Sequence, residues 1–574
     1  MKKISMALAL LVFAILLVGA ERSLDNKLPP TVEPLTTEPI LCEPAPVNLN
    51  ADESGKFISV LPGWGSHSYQ VTTTNDSAQF YFNQALNFYF SYHFREALAS
   101  FKESARFDKS CAMAYWGQAL AMGPYFNNYF YKMNKEVPGV LEQMNHALEA
   151  TSPKEKALVS AMNKRYSANT TNSDRRQLDS NYANSMLLLT RQFPADDDIK
   201  ALYVDAMMLA HKWDFWHNDG NPKSWTPELV TICESILTRD PVHPAALHYL
   251  IHVTEASKHP EKALHSADVL KETLPGVGHM VHMATHMYQR NGLYAKGVYV
   301  NEDANTAINQ TDSLIPYIGI GRNTNLHIFA VQSYCAMNAG MFTMGMPVYL
   351  RARNRLVALR SSIEKDAYSQ YVYMMPVIAW VRLGKWQEIL ASPAPDAGWK
   401  YSVALDDFAK GMAHVRNNDL AKAHILLSNL QVGMIDSLLF VRLMPFNKPV
   451  QCLRIAEGIL RGEILYAQGK TSEAIKAFKL AVAEEDQLIY CEPKDWLIPS
   501  RQYLGACLLK MKRATEAEKV FREDLVNNPG NGWSLMGMHQ SMLAQKKTKE
   551  AAEYKVAFDS AFTAADVKLK SSVL

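Results

Sequence analysis

Apolar and polar residues follow a helical period from about Asp76 almost to the end of the chain. The segments with this period are separated by turns, and little of the sequence has the two-residue alternation of a β-strand. The hydrophobic pattern therefore predicts an all-α fold built from many helices rather than a mixed sheet structure.

The predicted helices recur in pairs that share small and aromatic positions. An alanine precedes a phenylalanine by four residues in three segments: Ala97 with Phe101, Ala474 with Phe478, and Ala517 with Phe521. Small residues allow two helices to cross closely, a large ring fills the space between them, and a proline such as Pro529 ends the unit. Weaker copies run through residues 340–350, 384–390 and 418–430.

The histidines give the period of these pairs. His248 and His252 recur as His282 and His286, a shift of 34 residues in both cases. Thirty-four residues is the period of the tetratricopeptide repeat (TPR), and the chain resembles that superfamily over most of residues 76–562. The resemblance implies a right-handed α-solenoid of stacked helix–turn–helix repeats, whose first helices line a concave groove and whose second helices form the outer wall.

Repeat strength and composition divide the sequence into six parts. These are a signal peptide at 1–20, a flexible or extended N-terminal segment at 21–72, N-terminal TPR-like repeats at 73–240, histidine-rich central repeats at 241–350, degenerate helical repeats at 351–450 and C-terminal TPR repeats at 451–574. Two long interruptions, an aromatic loop at 213–227 and a second loop at 486–499, break the pattern. Long loops on a solenoid gather on one face, where they either contribute to binding or brace the superhelix.

The N-terminus has the features of an export signal. Lys2 and Lys3 precede an almost wholly apolar run at residues 4–18, and small residues allow cleavage before Glu21. An uncleaved membrane anchor is the alternative reading, although the run is short for a membrane span. We therefore expect a periplasmic or extracellular protein with no membrane span after cleavage.

Composition restricts the class of partner. Of 574 residues, 48% are hydrophobic and 20% are charged, as in globular proteins, and 59 basic residues nearly balance 57 acidic ones. No basic stripe is present, so we expect no nucleic-acid partner. The seven cysteines contain no Cys-x-x-Cys pair, and we expect most of them to be buried, with Cys42 and Cys491 more exposed.

Histidine is concentrated in the central repeats. Eight of the 17 histidines fall between His243 and His286. On the helix predicted near residues 246–257, His248, His252 and Glu255 share one face, because three to four residues make one turn. The next first helix has a second such face, formed by His279, His282 and His286. The TPR resemblance implies that both faces point into the groove.

Imidazoles on one helical face suit a transition metal. Two of them one turn apart lie about 6 Å apart along the axis, and neighbouring helices are roughly 8–10 Å apart, so facing pairs can share an ion. Neutral imidazole favours zinc, copper or iron over magnesium and calcium. Four histidines would form a closed structural site, whereas three leave a position for water or substrate. Glu255 is either a ligand or an acceptor that orients a ring.

Other histidines are candidates for the same site. His327 begins the following first helix, His211 ends the preceding one, and His67 lies in a glycine-rich loop that could fold back into the groove. The predicted metal ligands are thus His248, His252, Glu255, His279, His282, His286, His327, His211 and His67. Histidines at unit boundaries, such as His243, are interpreted as structural. The methionines that each follow a histidine by one residue (Met280, Met283 and Met287) are interpreted as core, with a copper-binding His-Met face as the alternative.

Two alternatives to a metal site remain open. The groove could instead recognise an anionic or aromatic ligand through imidazole hydrogen bonds, or the repeated histidines could be inherited repeat sequence with no site. His248 and His252 lack the glutamate of the His-Glu-x-x-His motif, so zinc-peptidase chemistry is unsupported. No nucleophile-elbow, phosphate-loop or dinucleotide motif is present.

Two classes of function are consistent with these features. The first is an exported interaction protein whose concave groove binds a protein or peptide partner, with a transition metal as a structural or regulatory element. The second is a metal-dependent enzyme built on the solenoid, with an open site of three or four histidines. The first is favoured because interaction is the commoner role of this fold, although fold alone is weak evidence of function.

Overall fold

The structure is a computed structural model in which residues 49–129, 131–149, 151–167, 174–315, 324–357, 363–442 and 447–574 are described. The predicted signal peptide at 1–20, residues 21–48 of the N-terminal segment, and Cys42 lie outside the described residues. The described part belongs to one compact unit, residues 39–574. None of its helices is both long enough and apolar enough to cross a membrane.

Helices make up nearly all the regular structure of these residues, which confirms the predicted all-α class. In chain order they are α1 Asp76–Phe90, α2 Phe94–Phe107, α3 Ala112–Ala121, α4 Val137–His146, α5 Pro153–Arg165, α6 Arg175–Gln192, α7 Asp197–Ala210, α8 Thr226–Arg239, α9 Pro244–Thr254, α10 Leu264–Thr273, α11 Gly278–Arg290, α12 Tyr294–Leu314, α13 Thr324–Asn338, α14 Phe342–Val357, α15 Ala367–Arg382, α16 Trp386–Ala391, α17 Lys400–Arg416, α18 Leu420–Gly433, α19 Pro449–Ala467, α20 Thr471–Glu485, α21 Ser500–Lys510, α22 Ala514–Asn527, α23 Gly532–Ala544 and α24 Thr548–Ala561. Short 3-10 helices cover Pro260–Ala263 and Ser437–Phe440.

The helices stack as a solenoid of helix–turn–helix repeats. Each helix of the central part packs against the next one, and alternate helices also meet, so that α9 contacts α11 and α11 contacts α13. The same alternation joins α19 to α21 and α21 to α23. This packing confirms the predicted fold class. In addition, α1 contacts α9, which brings the first repeat against the histidine-rich ones.

Small residues and aromatic rings interlock where helices cross, as the sequence pattern predicts. A Cβ atom built on Gly117 would lie 2.2 Å from the Phe101 ring, and one on Gly462 would lie 2.5 Å from the Phe478 ring. Phe521 fills the space between α21 and α23, since a Cβ on Gly505 or Gly537 would lie 2.4 Å from its ring. A larger residue at these glycines would force the helices apart.

The turn between the two helices of a repeat has a recurrent conformation. A residue with positive φ occupies it in eight repeats: Tyr92, Gly292, Gly340, Gly384, Asn418, Gly469, Lys512 and Lys546. Glycine adopts this left-handed region without strain, and asparagine enters it more easily than most side chains. A tyrosine there is unusual, and Tyr92 lies beside the histidines described below.

The described part of the N-terminal segment is extended and packed. Ile58 and Leu61 are buried against the first repeat, and the Leu61 amide donates to Gln84 Oε1 at 3.2 Å. The Gly276 amide donates to the Gly63 carbonyl at 2.9 Å, which joins this segment to the central repeats. Residues 57–71 are therefore part of the folded unit rather than a free tether.

Cysteine burial agrees with the sequence except at one position. The thiols of Cys111, Cys233, Cys335 and Cys507 are buried and free, as predicted. Cys491 is also buried, so the prediction of an exposed thiol there was wrong. Its loop, at residues 486–499, folds into the interior of the unit instead of remaining on the surface.

We predict that Phe521→Ala destabilises the protein by about 3–5 kcal/mol. The substitution opens a cavity between α21 and α23, and the glycines that border it have no side chain to fill the space. Val526→Ala, on the same helix but at a side chain that is 72% exposed, is the matched control. Urea unfolding followed by circular dichroism measures both. Equal unfolding midpoints for the two variants would contradict the proposed packing role of the ring.

Candidate metal centre

Six of the predicted ligands converge in the interior, on three successive first helices. His248 and His252 lie on α9, His279, His282 and His286 lie on α11, and His327 lies on α13. Their side chains are buried, with no residue of the six more than 8% exposed. The predicted convergence of imidazoles from consecutive repeats is present, but the rings lie in a closed interior rather than along an open groove.

The six imidazoles form two groups of three. The ligand atoms of His248, His252 and His279, the first triad, lie within 4.8 Å of one another. The same holds for the second triad, His282, His286 and His327.

Nitrogen spacing within each triad matches shared coordination. His248 Nε2 lies 3.1 Å from His279 Nε2, and His282 Nε2 lies 3.0 Å from His286 Nε2. Ligand nitrogens about 2.0–2.1 Å from a tetrahedral ion are about 3.3 Å apart. Small side-chain movements would therefore bring the nitrogens of either triad to the separations found around a tetrahedral ion.

Hydrogen bonds at the opposite ring nitrogen fix the tautomers in the first triad. His248 Nδ1 donates to the Phe90 carbonyl at 2.7 Å, and a carbonyl oxygen can only accept. His252 Nδ1 lies 3.1 Å from Glu255 Oε1. A neutral imidazole with its hydrogen on Nδ1 has a lone pair on Nε2, so both rings present a ligand atom to the triad.

The second triad is oriented in the same way. His282 Nδ1 lies 2.6 Å from Asn301 Oδ1, and Asn301 Nδ2 donates to the Gly297 carbonyl at 2.8 Å, which fixes the amide so that its oxygen accepts. His286 Nδ1 lies 2.9 Å from Glu255 Oε2. His282 and His286 thus direct their Nε2 atoms towards each other and towards His327.

Each triad also contains a buried nitrogen without a hydrogen-bond partner among the described residues. These atoms are His252 Nε2 in the first triad and His327 Nε2 in the second. A hydrogen bond between His248 and His279 would satisfy those two rings, yet it would leave the His252 nitrogen unpaired. Because buried polar groups are nearly always paired, one partner shared by the three rings of each triad would satisfy these nitrogens.

Burial keeps the rings neutral. It lowers the pKa of His252 to about 3 and that of His282 to about 4, the latter despite the Asn301 hydrogen bond. Burial and then the neighbouring imidazoles lower the pKa of the other four histidines well below the usual range. Neutral imidazole is the form that binds a metal.

Two buried glutamates lie beside the triads. Glu255 accepts from one histidine of each triad through its two oxygens, so it orients rings rather than joining either triad. Glu492, from loop 486–499, contacts His286 Nδ1 as well. Burial raises the pKa of both carboxyls well above the usual range, and Glu255 raises that of Glu492 further. Together with His286 the pair forms a third group of close donor atoms.

Aromatic side chains cover the first triad. The Tyr92 ring lies 4.6 Å from the His248 ring and stacks 5.7 Å from the His252 ring. Trp213, from aromatic loop 213–227, lies 6.0 Å from the His252 ring. Both long interruptions of the repeat pattern therefore reach the histidine cluster, one with a carboxylate and the other with an apolar cover.

Two predicted ligands lie elsewhere. His211 stacks on Trp225 with ring centroids 3.7 Å apart, and it belongs to none of the close donor groups among the described residues. His67 does not reach the triads. Its Nε2 lies 2.8 Å from Asp198 Oδ1, and His243 Nε2 lies 3.7 Å from the same oxygen.

Several contributing residues were not identified from the sequence. Glu492 lies in a loop, Phe90 and Tyr92 lie in the first repeat, and Asn301 lies on the second helix of the α11 repeat. No local pattern marks any of them. The sequence did mark loop 486–499 as an interruption, which was the available signal for Glu492. Methionines 280, 283 and 287 are fully buried, which confirms the prediction that they are core residues.

The chain has little similarity to characterised proteins. No protein-family model matches it, and no curated protein matches it. Among solved structures, the human IFIT1 dimer with m7Gppp-AAAA aligns at 11% identity and a TM-score of 0.34, covering 78% of this chain and 90% of IFIT1. The Cut9 structure from the APC/C hetero-tetramer Cut9-Hcn1 aligns at 11% identity and a TM-score of 0.28, covering 85% and 88%. Similarities this low assign neither a ligand nor an activity to the chain.

We predict that acid destabilises the metal-free protein through the triads. A histidine whose pKa is depressed in the folded state contributes its full stability above its unfolded pKa of about 6.5, where the ring is neutral in both states. As the pH falls towards the folded pKa, only the unfolded ring takes up a proton, and the folded state loses stability. His252→Leu should therefore reduce the pH dependence of the unfolding free energy by up to about 1.4 kcal/mol per pH unit below pH 6.5. Urea unfolding with chelator between pH 7.5 and 5 measures the slopes. Parallel curves for wild type and variant would refute the argument.

Proposed function

We propose that the protein is a metalloprotein whose two buried histidine triads each bind one transition-metal ion, within a TPR-like solenoid. The observation that supports this proposal is that each triad contains a buried Nε2 atom with no hydrogen-bond partner among the described residues. Tautomers set by Phe90 and Asn301 aim lone pairs at another imidazole, while His252 and His327 have unpartnered nitrogens. A cation at the centre of each triad satisfies all three rings at once.

The donor set determines the class of metal. Three neutral imidazole nitrogens suit zinc, copper or iron, whereas magnesium and calcium prefer oxygen ligands. No cysteine thiol belongs to either triad. The polarising acceptors at Nδ1 make the rings more basic ligands, as in other histidine–metal sites.

A metal-dependent enzyme is the second candidate. Three protein ligands per ion leave a fourth position for water or substrate, which is typical of catalytic rather than structural zinc. Glu492 favours this reading, because its side chain is buried beside His286 and its Oε1 has no hydrogen-bond partner among the described residues. An oxygen ligand from solvent, detected by electron-nuclear spectroscopy of a cobalt- or copper-loaded sample, would favour the enzyme.

The predicted binding of a protein or peptide partner is a separate proposal. The TPR-like stacking supports an extended surface suited to such partners. Because the histidines are buried, a partner would contact other parts of the solenoid, and the metal would act as a structural element. We also propose export to the periplasm or beyond, based on the apolar run at residues 4–18.

We predict that the wild-type protein purified from metal-replete cells contains about two equivalents of zinc, copper or iron. His248→Ala should remove the ion of the first triad and His282→Ala that of the second, so the double variant should contain neither. Plasma mass spectrometry measures the metal content. His259→Ala is the control, because that imidazole is exposed and pairs with the exposed Glu261. Metal-free wild type, or a double variant that retains both ions, would reject the proposal.

A second prediction concerns Glu255. Glu255→Leu removes the carboxylate that contacts His252 Nδ1, whereas His286 retains Glu492. Metal affinity at the first triad should fall by about 10–100-fold, with a smaller change at the second. Competition with a chromophoric chelator measures both affinities. Glu261→Leu is a matched control, since this exposed carboxylate lies 3.1 Å from His259 Nδ1, the same distance as in the buried pair. Equal losses in the two variants would contradict the orienting role.

A further inference from the structure

The two triads lie side by side in the interior rather than in separate parts of the solenoid. The centroid of the His252 ring lies 6.1 Å from that of His286, and the His279 centroid lies 6.3 Å from that of His282. Ring centroids within a triad are 4.8–6.5 Å apart. Because separations between the triads are as short as those within them, the six rings form one continuous cluster.

Helix α11 provides ligands to both triads. His279 belongs to the first triad, whereas His282 and His286 belong to the second. Residues three apart on an α-helix are separated by about 4.5 Å along its axis. The backbone of a single helix therefore holds ligands of the two triads at a short and fixed separation.

The ring positions also determine where an ion would lie in each triad. An ion 2.0–2.1 Å from a ring nitrogen is about 3.2 Å from the centroid of that ring. The His252 and His279 centroids are 6.5 Å apart, so an ion bound to both lies close to their midpoint. The His282 and His286 centroids are 4.9 Å apart, so an ion bound to both lies within about 2 Å of their midpoint.

The distance between the two ions follows from these midpoints. The midpoints are separated by at most about 6.2 Å, the mean of the two separations between the triads. With the displacement of each ion from its midpoint added, the two ions are less than about 9 Å apart. This distance is comparable to the spacing of neighbouring helices, roughly 8–10 Å, as expected for sites formed by consecutive repeats.

Glu255 lies between the two triads. Its Oε1 is 3.1 Å from His252 Nδ1 and its Oε2 is 2.9 Å from His286 Nδ1, so the two oxygens face one ring of each triad. The side chain is fully buried, which keeps water from replacing it at either ring. Two bound ions would therefore have one neighbouring carboxyl group in common.

We propose that the two triads form a single dinuclear centre, in which two transition-metal ions lie less than about 9 Å apart on either side of Glu255. This inference rests on the proposed function, because it requires that both triads bind an ion. Two divalent ions at this distance repel each other even at the dielectric constant of water, and more strongly in a buried site. Binding at one triad therefore weakens binding at the other, and water or substrate at either ion experiences the charge of both.

Electron paramagnetic resonance of the full chain tests the separation. Metal-free wild type is titrated with copper(II), and plasma mass spectrometry of the same samples counts the bound ions. We expect a half-field signal, or a loss of signal intensity, as the second equivalent binds, because both effects require two unpaired electrons at short distance. His248→Ala and His282→Ala, each with one copper ion, are the mononuclear controls and should show neither effect.

The outcomes of this titration are distinguishable. If wild type binds two copper ions and its spectrum equals the sum of the two variant spectra, the dinuclear proposal is overturned and the metal assignment stands. Fewer than two bound ions in wild type would contradict the metal assignment itself, and the dinuclear proposal with it.

Zinc binding measures the coupling between the triads in a second way. Competition with a chromophoric chelator gives the affinity of the first triad in His282→Ala and that of the second in His248→Ala. Independent sites would give wild type an overall two-ion constant equal to the product of these affinities. We expect a constant at least about tenfold smaller, because the second ion binds against the charge of the first.

A further variant guards against local damage by the alanine substitutions. His327→Gln removes a ligand of the second triad from α13, so it should give the same affinity for the first triad as His282→Ala. With that agreement, an overall constant equal to the product of the single-site affinities would overturn the predicted coupling.

Discussion

The interior of this solenoid is organised by the cost of burying six imidazoles. Each neutral ring has one N–H that needs an acceptor and one bare nitrogen that needs a donor or a cation. The Phe90 carbonyl, the Asn301 amide and the Glu255 carboxylate supply acceptors for four of the N–H groups. Since these acceptors belong to α1, α12 and the end of α9, separate repeats must stay in register around the cluster.

Repetition and its interruption both contribute to the centre. The 34-residue period places two similar histidine pairs on α9 and α11, one beside the other. The repeat alone, however, would leave these faces on an open groove. Tyr92 from the first repeat, Trp213 from the aromatic loop and Glu492 from loop 486–499 enclose them. Departures from the repeat pattern thus convert a groove surface into a closed interior, where electrostatic interactions are stronger.

Local periodicity explains which parts of the structure were predictable. Helical spacing and the 34-residue shift fixed the fold class, the faces of α9 and α11, and the place of His327 on the next first helix. Residues brought close by packing between helices and loops could not be found in this way, since neither Asn301 nor Glu492 stands in a diagnostic spacing to the histidines. For the same reason His67 and His211, at a segment outside the repeats and at a helix end, were assigned to a cluster that they do not join.

The group at His67 shows why donor proximity alone does not define a metal site. Asp198 has two imidazoles beside it, and although burial alone would raise its pKa, contacts with His243 and His67 hold that pKa well below the usual range. The Asp198 carboxylate in turn raises the pKa of His67 despite partial burial, which favours the protonated ring over the neutral form that binds a metal. His243 Nδ1 accepts from the Ala246 amide at 3.4 Å as a helix cap, so the hydrogen of this ring lies on Nε2. In the triads the acceptors at Nδ1 produce the opposite tautomer. The hydrogen-bond partner of the outer nitrogen, more than the distance between inner ones, therefore distinguishes an ion-pair cluster from a coordination site.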